Sequence, residues 1–286
     1  GSYYDVANAV GQVLSGKRYK RFDDINAAQS EDGRILTTPE YYAYLKIAEG
    51  CDNWCAFCII PKLRGKYRSR TMEHVLAEAR QLADSGVKEL IVIAQDITRY
   101  GMDWDGKPHL ADFLEELCKL DFHWIRLHYL YPEWIDDRLI DVIAREDKIL
   151  KYLDIPLQHC NDKILKKMNR RGDKKYLCAL LDKLRERIPG LVLRTSIIAG
   201  LPGDTVAGFE HSLRQAIALD PENITVHTLT LKRASRIVIE DQKENDYADV
   251  AAMLEKCNLL AEAGYRPYYL YRQKNTLQNL ENVGWC

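Results

Sequence analysis

Three cysteines lie within one short segment, Cys51-Asp-Asn-Trp-Cys55-Ala-Phe-Cys58. Thiolates bind transition metals, and three of them can hold three irons of a cubane cluster while the fourth iron stays open. A structural zinc site, in contrast, normally takes four protein ligands. The absence of a fourth cysteine from this segment therefore favours an iron–sulfur cluster with one open iron.

Two other uses of these cysteines stay open at this point. A zinc site could form if the more distant His159 or Cys160 supplied a fourth ligand. A disulfide scaffold is disfavoured, because 8 cysteines among 286 residues, with 47% hydrophobic residues and no secretory segment, suit a reducing cytosol. No apolar stretch reaches the length of a membrane span. The sequence therefore predicts a cytoplasmic protein without a membrane partner.

The charge balance gives no general attraction to nucleic acid. The formal net charge is −1, so any such contact would depend on local basic patches, and no DNA partner is predicted. Most residues of the two basic patches are expected to form a solvated surface. The patches comprise Lys62, Arg64, Lys66, Arg68 and Arg70, and Lys166, Lys167, Arg170, Arg171, Lys174 and Lys175.

The segments that must position the cysteines alternate between strands and helices. Apolar strands are predicted near 42–48, 88–94, 123–130, 151–156, 191–199 and 223–231. Amphipathic helices are predicted near 71–85, 108–119, 134–145, 161–168, 173–188 and 205–218. This alternation predicts an α/β fold, a partial TIM-type (β/α)6 barrel of parallel strands. Such barrels place their chemistry at the carboxyl ends of the strands, where the cysteine segment follows the first strand.

The two ends of the chain are predicted to lie outside this barrel. Apolar Val6, Val10 and Val13 recur at helical spacing, and a polar connector follows at about 23–34. We therefore expect three regions. They are a helix and linker at 1–40 that is the remnant of an upstream domain, a core barrel at 41–235, and a helix and strand extension at 236–286.

Polar residues follow the other predicted strands. After the second strand, Gln95 and Asp96 could accept hydrogen bonds from an ammonium group, although an Asx turn explains Asp96 equally well. After the third strand, Tyr129 suits either the core or a substrate contact. On and after the fifth strand, Arg194 offers a fork that matches a carboxylate, and Gly200 allows a ligand close to the backbone.

Seven stretches at about 42–200 carry a family resemblance. They are 44–51 (YLKIAEGC), 60–65 (IPKLRG), 67–70 (YRSR), 94–96 (AQD), 129–132 (YLYP), 154–159 (DIPLQH) and 168–172 (MNRRG). Together they resemble the methylthiotransferase branch of the radical S-adenosylmethionine (SAM) superfamily. Within that branch, residues 94–101 (AQDITRYG) are more similar to the enzymes that modify an aspartate of a small-subunit ribosomal protein than to their tRNA-modifying relatives.

This resemblance implies two cofactors and a reaction. Cys51, Cys55 and Cys58 would bind a [4Fe–4S] cluster, and SAM would chelate the open iron through its amino and carboxylate groups. A reductant such as flavodoxin or ferredoxin would supply an electron, and SAM would be cleaved to methionine and a 5′-deoxyadenosyl radical that abstracts a hydrogen from the substrate. The residues implied to hold SAM are Phe57, Gln95, Asp96, Gln158, Arg194, Ser196 and Gly200.

Two departures from that branch bear on the activity. The branch normally carries three more cysteines in an amino-terminal domain, for a second cluster associated with sulfur transfer, and no cysteine precedes Cys51 here. The resemblance therefore implies SAM cleavage with little or no sulfur insertion. From about residue 200 to 286 the sequence instead resembles the oxygen-independent coproporphyrinogen dehydrogenases, in residues 200–204, 221–229, 232–235, 268–275 and 281–284.

Three hypotheses for the activity follow from this composite resemblance. The first is a methylthiotransferase acting on an aspartate of a ribosomal protein. The second is an oxidoreductase that decarboxylates a porphyrinogen, with the aromatic segment 268–273 approaching the site. The alternative for that segment is a terminal strand that closes the edge of the barrel. The third hypothesis is not enzymatic: a fold that binds a cluster or zinc but lacks a working substrate site, or a chimeric barrel.

Overall fold

The computed structural model describes residues 3–27, 35–240 and 249–286. The strands are β1 Tyr42–Lys46, β2 Ala48–Glu49, β3 Arg68–Ser69, β4 Glu89–Ile93, β5 Trp124–Leu127, β6 Ile149–Asp154, β7 Val192–Ala199, β8 Asn223–Thr228, β9 Pro267–Tyr271 and β10 Asn282–Trp285. The α-helices are α1 Val6–Leu14, α2 Ile60–Arg64, α3 Met72–Asp84, α4 Met102–Asp105, α5 Leu110–Leu117, α6 Asp137–Arg145, α7 Asp162–Lys167, α8 Lys174–Arg187, α9 Val206–Ala218, α10 Arg236–Ile239, α11 Val250–Glu255 and α12 Asn258–Glu262. Short 3₁₀ helices span Tyr3–Asp5, Ile97–Arg99, Pro132–Trp134 and Leu277–Asn279.

The main sheet has the strand order β1-β4-β5-β6-β7-β8-β10-β9. The strands from β1 to β8 in this order pair in parallel, and helices connect them. The predicted partial (β/α)6 barrel is therefore confirmed. Strand β10 pairs antiparallel with β8, and β9 pairs antiparallel with β10 as the outermost strand. The carboxyl-terminal segment thus extends the edge of the barrel. This agrees with the alternative prediction for residues 268–273, a terminal strand at that edge.

The sequence explains why these strands and helices form. The parallel strands are covered by helices, so their apolar runs are buried; Leu90 and Val92 of β4, for example, are 0% exposed. Helix α3 begins where the Thr71 hydroxyl accepts a hydrogen bond from the His74 N–H. It ends before Gly86, whose φ of 93° is in the left-handed region that glycine adopts without strain. These signals bound the helix that connects β1 to β4, and the two strands pair in parallel.

The amino-terminal segment lies apart from the hydrophobic core. None of the described residues of α1 is buried. Residues 28–34 of the predicted polar connector lie outside the described residues. No helix in the described ranges combines the length and the apolar character that crossing a bilayer requires.

Candidate functional site

A cavity of about 370 Å³ lies at the carboxyl ends of the parallel strands. It is lined by Cys51, Asn53, Cys55, Phe57, Cys58, Ile60, Ala94, Gln95, Tyr129, Leu130, Tyr131, Pro156, Gln158 and Arg170. The lining comes from the loops after β2, β4, β5 and β6, as the barrel predicts. The structure therefore brings six predicted site residues to one cavity, namely Cys51, Cys55, Phe57, Cys58, Gln95 and Gln158.

Gly50 sets the course of the cysteine loop. Its φ is 80°, and a Cβ atom at this position would lie 2.0 Å from the carbonyl oxygen of Lys66 and 2.7 Å from that of Gly65. A side chain cannot be placed there without moving the backbone, so only glycine fits. The N–H of Cys51 donates to the carbonyl oxygen of Gly65 at 3.2 Å, which holds the start of the loop against this neighbouring turn.

The segment that follows α7 holds the middle of the cysteine loop. The side-chain amide of Asn169 donates to the carbonyl oxygens of Asn53 and Trp54 at 3.0 and 3.1 Å. The N–H of Ala56 donates to the carbonyl oxygen of Met168 at 2.9 Å. Trp54 and Asn169 both adopt positive φ values, of 50° and 58°. Non-glycine residues in this region are found where surrounding contacts fix the backbone, as they do here.

The three loop cysteines are free thiols in partly or fully buried positions. Burial raises the pKa of Cys51 to about 12 and also raises the pKa of Cys58. Metal binding would have to displace these protons, because the thiolate is the ligand. Among the described residues no three His, Cys, Asp or Glu side chains are grouped to hold a single metal ion. The thiolates of a cubane cluster bind different irons and need not converge on one point, so the donor set fits a cluster.

His159 and Cys160, the two candidates for a fourth zinc ligand, are both buried away from the cysteine loop's cavity wall as the described residues define it. His159 is fully buried, and its Nε2 lies 3.0 Å from Asp204 Oδ2. Its Nδ1 accepts a hydrogen bond from the N–H of Asn161 at 3.1 Å. Cys160 is buried, and burial raises its pKa to about 12. His159 connects the loop after β6 to the loop after β7 through Asp204. Both of its ring nitrogens have hydrogen-bond partners and are not available to bind a metal.

Two amide oxygens at the cavity are suited to a ligand that donates hydrogen bonds. Gln95 and Gln158 line the cavity, and their Oε1 atoms are buried without a hydrogen-bond partner among the described residues. A buried acceptor without a donor costs about 1–3 kcal/mol. Gln158 also has a φ of 71°, a strained conformation of the kind that clusters at binding sites. These oxygens, beside three thiols, fit an amino group held next to a cluster.

A second cavity of about 230 Å³ adjoins the first and shares Phe57 and Gln158 with it. Its remaining lining residues are Ile198, His227, Thr228, Leu229, Thr230, Lys232, Tyr271, Gln273 and Asn282. The carboxyl-terminal segment therefore reaches this site through side chains of β9, β10 and the turn between them. Burial lowers the pKa of His227, whose Nδ1 lies 3.3 Å from the hydroxyl of Tyr271.

Asp96 lies outside the walls of both cavities, as the described residues define them. Its carboxylate is fully buried and accepts hydrogen bonds from the Thr98 N–H at 3.1 Å and from the Asn53 side chain at 2.9 Å. Burial raises the pKa of this carboxyl group. The structure thus favours the Asx turn for Asp96, which supports the cysteine loop through Asn53.

Arg194, Ser196 and Gly200 also lie outside the two cavity walls in the described part of the chain. Arg194 donates to Asp154 Oδ1 at 2.9 Å, so its guanidinium is already paired with a carboxylate. The carbonyl oxygen of Ser196 accepts from the N–H of Gln158 at 2.7 Å, which positions that glutamine. At Gly200 a Cβ atom would lie 2.9 Å from the Val250 side chain, so this glycine serves helix packing.

Most residues of the basic patches are expected to be solvated, and Arg170 is an exception. It is 8% exposed and lines the first cavity. Its guanidinium carbon lies 3.8 Å from the centre of the Tyr131 ring, and its Nη2 donates to the carbonyl oxygen of Pro156 at 2.7 Å. The Tyr131 hydroxyl in turn lies 3.5 Å from Cys55 Sγ. Arg170 is thus a buried cation beside Cys55, a predicted cluster ligand.

Tyr129 was open to either a core or a ligand-facing position. It is 52% exposed, lines the first cavity and adopts a φ of 66°. The structure therefore places it at the mouth of the cavity and not in the core.

Glu133 lies near Arg170, and both of its carboxylate oxygens are buried without a hydrogen-bond partner among the described residues. Burial raises its pKa to about 7, although the nearby Arg170 lowers it. A carboxyl group whose pKa is higher in the folded than in the unfolded protein contributes stability at a pH where it is protonated in both. That contribution is lost as the pH rises from about 4.5 to about 7, because the unfolded chain releases the proton first.

We therefore expect the Glu133→Gln variant to lose less stability than the unaltered protein over this pH interval. The difference in the free energy of unfolding should change by about 2 kcal/mol between the two pH limits. Urea unfolding followed by circular dichroism at a series of pH values measures it. Glu255→Gln, an exposed position on α11, is the control and should leave the profile unchanged. Parallel profiles for Glu133→Gln and the unaltered protein would contradict the assignment.

Comparison with known proteins gives, for most of the barrel, the superfamily that the sequence resembles. Residues 45–216 match the family model described as the radical SAM superfamily. The chain is 58% identical over 177 residues to the ribosomal protein uS12 methylthiotransferase of Myxococcus xanthus, covering 62% of this chain and 37% of that protein. It is 50% identical over 206 residues to the enzyme of the same name from Lachnoclostridium phytofermentans, covering 71% and 47%. The chain thus spans less than half the length of these relatives.

Two solved structures share the fold at low sequence identity. Coproporphyrinogen III oxidase from Escherichia coli has a TM-score of 0.57 at 20% identity, covering 79% of this chain and 53% of that chain. The radical SAM methyltransferase from Kitasatospora setae, with cobalamin and a [4Fe–4S] cluster bound, has a TM-score of 0.60 at 18% identity, covering 71% and 39%. At these identities the likeness concerns the fold alone.

Proposed function

The chain belongs to the radical SAM superfamily, and we propose that it is the catalytic barrel of a methylthiotransferase that acts on an aspartate of a ribosomal protein. The observation that carries this proposal is one cavity that joins three free thiols to two glutamine oxygens that have no hydrogen-bond partner in the described part of the chain. The choice of substrate is supported by the identity to enzymes named uS12 methylthiotransferases.

In this proposal Cys51, Cys55 and Cys58 hold a [4Fe–4S] cluster, and Gln95 and Gln158 accept hydrogen bonds from the amino group of SAM. When bound, these cofactors supply the reductive cleavage of SAM to methionine and a 5′-deoxyadenosyl radical. The chain itself orients the donor atoms and surrounds the reacting groups with a mostly apolar wall. Exclusion of water by such walls protects a reactive species from side reactions.

The two glutamines provide a test that leaves the cluster ligands in place. We expect Gln95→Leu and Gln158→Leu each to weaken SAM binding about tenfold or more, because each removes one hydrogen bond to a charged group. Isothermal titration of the reconstituted protein with SAM measures the affinity, and iron content checks that the cluster is retained. Gln81→Leu, at an exposed position of α3, is the control. Unchanged SAM affinity in both variants would contradict the assigned role.

The choice of substrate is tested by the transfer of hydrogen from the substrate to 5′-deoxyadenosine. Sulfur insertion is not measured, so the outcome does not depend on a second cluster. The reconstituted protein is incubated with dithionite, SAM and ribosomal protein uS12 that carries deuterated aspartate. We expect deuterium in the 5′-deoxyadenosine, detected by mass spectrometry. Cleavage of SAM without any transfer of deuterium from uS12 would contradict this choice of substrate.

The porphyrinogen hypothesis is the alternative, and a separate incubation tests it. Tyr271 and Gln273 of the carboxyl-terminal segment line the second cavity, whereas Tyr268 and Tyr269 are more than half exposed on β9. Incubation with coproporphyrinogen and a reductant, followed by the absorbance of the porphyrin product, tests it. Formation of porphyrin would favour this alternative.

We also propose the cellular setting and the division of the chain. All cysteines in the described residues are free thiols, which suits the reducing cytoplasm and a low-potential reductant such as flavodoxin or ferredoxin. Residues 41–235 would form the catalytic barrel and residues 236–286 an extension that supplies one wall of the second cavity. Residues 1–40 would connect the barrel to an upstream domain.

A further inference from the structure

The second cavity carries one positive charge and no negative charge. Of the described residues that line it, Lys232 alone has a cationic side chain, and none is an aspartate or a glutamate. Burial lowers the pKa of His227, so this imidazole is uncharged at neutral pH. Lys232 is half-buried, and its ammonium group has no ion pair or hydrogen-bond acceptor in the described part of the chain. Such a cation is suited to an anionic group of a ligand.

Two side-chain amides from the carboxyl-terminal segment also line this cavity. The oxygen of Gln273 accepts a hydrogen bond from the Thr230 hydroxyl at 3.1 Å, and the oxygen of Asn282 accepts one from the N–H of Thr228 at 2.9 Å. The amide nitrogen of Gln273 donates to no acceptor among the described residues. Lys232 and Gln273 thus offer donors to a ligand, whereas both amide oxygens are occupied. A carboxylate, which only accepts hydrogen bonds, matches this arrangement.

The second cavity lies directly beside the proposed cluster site. Phe57 and Gln158 line both cavities, so a group bound in the second cavity is next to the contents of the first. Lys232 is also close enough to the cysteine loop to act on it electrostatically. Burial raises the pKa of Cys58, whereas the charge of Lys232 lowers it. A carboxylate held by Lys232 would therefore bring the atoms attached to it close to the reacting groups.

We propose that the second cavity binds a carboxylate through Lys232 and Gln273, and that this carboxylate is the side chain of the substrate aspartate, an inference that rests on the proposed function. SAM also has a carboxylate, but it is attached to the same carbon as the amino group that Gln95 and Gln158 hold in the first cavity. That cavity has a cation of its own, Arg170. Lys232 therefore selects an aspartate over its uncharged amide, asparagine.

Lys232→Gln removes the charge and keeps a hydrogen-bond donor. Labelled uS12 is titrated with the reconstituted protein in the presence of SAM, once with the modified aspartate and once with asparagine in its place, and fluorescence anisotropy gives both affinities. We expect the unaltered protein to prefer the aspartate form about tenfold and Lys232→Gln to bind both forms equally. Lys232→Arg keeps the charge and should retain part of the preference. The control is Lys119→Gln, an exposed position between α5 and β5, at the amino-terminal end of the barrel strands.

Isothermal titration with SAM separates the two sources of a carboxylate, and we expect Lys232→Gln to bind SAM as tightly as the unaltered protein. An unchanged preference for the aspartate form in Lys232→Gln overturns the inference. Equal weakening of both forms, with the preference kept, also overturns it, because a merely structural role gives that result. A tenfold loss of SAM affinity with the preference unchanged overturns it in favour of the carboxylate of SAM. Absence of deuterium transfer from uS12 in the unaltered protein refutes the proposed function instead, since the affinities are measured without catalysis.

Discussion

Replacing Cys55 with alanine is expected to abolish both the iron–sulfur cluster and the cleavage of SAM. Cys55 lines the cavity together with Cys51 and Cys58, and its Sγ lies 3.5 Å from the Tyr131 hydroxyl. Two thiolates cannot hold three irons of a cubane, so the remaining pair leaves the cluster without a stable site. We expect SAM cleavage to fall by at least about a thousandfold, since the cluster is the group that passes the electron to SAM.

The measurement is anaerobic reconstitution with iron and sulfide, followed by dithionite reduction with SAM. Methionine and 5′-deoxyadenosine are quantified together by mass spectrometry, and iron and zinc by elemental analysis. Cys178→Ala is the control, because Cys178 is also a half-buried free thiol but lies on α8 outside the cavity wall. A cluster and full activity in Cys55→Ala would refute the cluster assignment, and zinc in place of iron in the unaltered protein would restore the zinc hypothesis.

The barrel could be predicted because local patterns determine it. Strands such as β4 and β7 are buried on both faces, so their apolar runs are visible without knowledge of the partners. The connecting helices show amphipathic spacing and terminate at glycines such as Gly86 and Gly190, both with positive φ. The position of β10 between β8 and β9 could not be predicted, because it depends on pairing between segments that are distant in sequence.

Site residues could be predicted where two features, the residue type and its position just after a strand, were sufficient. Cys51, Gln95 and Gln158 follow strands, and the fold brings them to one cavity. Asp96 also follows a strand, but its carboxylate turns back to cap the next helix, a choice that depends on the neighbouring Thr98 hydroxyl and Asn53 amide. The sequence predicts a ligand beside Gly200, whereas in the structure Val250 of α11 lies there. The surroundings of Asp96 and Gly200 depend on residues that are distant in sequence, so the sequence pattern alone does not reveal them.

Arg170 illustrates the limit of charge patterns. It stands beside Arg171 in a run of basic residues, and composition assigns the same solvated surface to both. The structure buries Arg170 against Tyr131 and Pro156 and leaves Arg171 exposed. The difference depends on the turn after α7, where Asn169 adopts a positive φ and directs the next residue inward.

This contrast leads to the second large effect, on the stability of the folded protein. We expect Arg170→Leu to lower the free energy of unfolding by about 3 kcal/mol, because it removes a buried cation and leaves nearby polar groups without a partner. The carbonyl oxygen of Pro156 would lose its donor, and the pKa of Glu133, which Arg170 lowers, would rise further. Arg171→Leu should change the free energy of unfolding by no more than about 0.5 kcal/mol, as is usual for exposed positions.

Urea unfolding of the two variants, followed by circular dichroism under identical conditions, measures the difference. Arg170→Lys separates charge from shape, because lysine keeps the positive charge but cannot form the planar stack on Tyr131. We expect it to recover part of the stability lost in Arg170→Leu. Because Tyr131 also contacts Cys55, Arg170→Leu should in addition lower the iron bound after reconstitution, whereas Arg171→Leu should not. Equal stability and equal iron content in Arg170→Leu and Arg171→Leu would show that the buried arginine does not hold the cluster side of the barrel together.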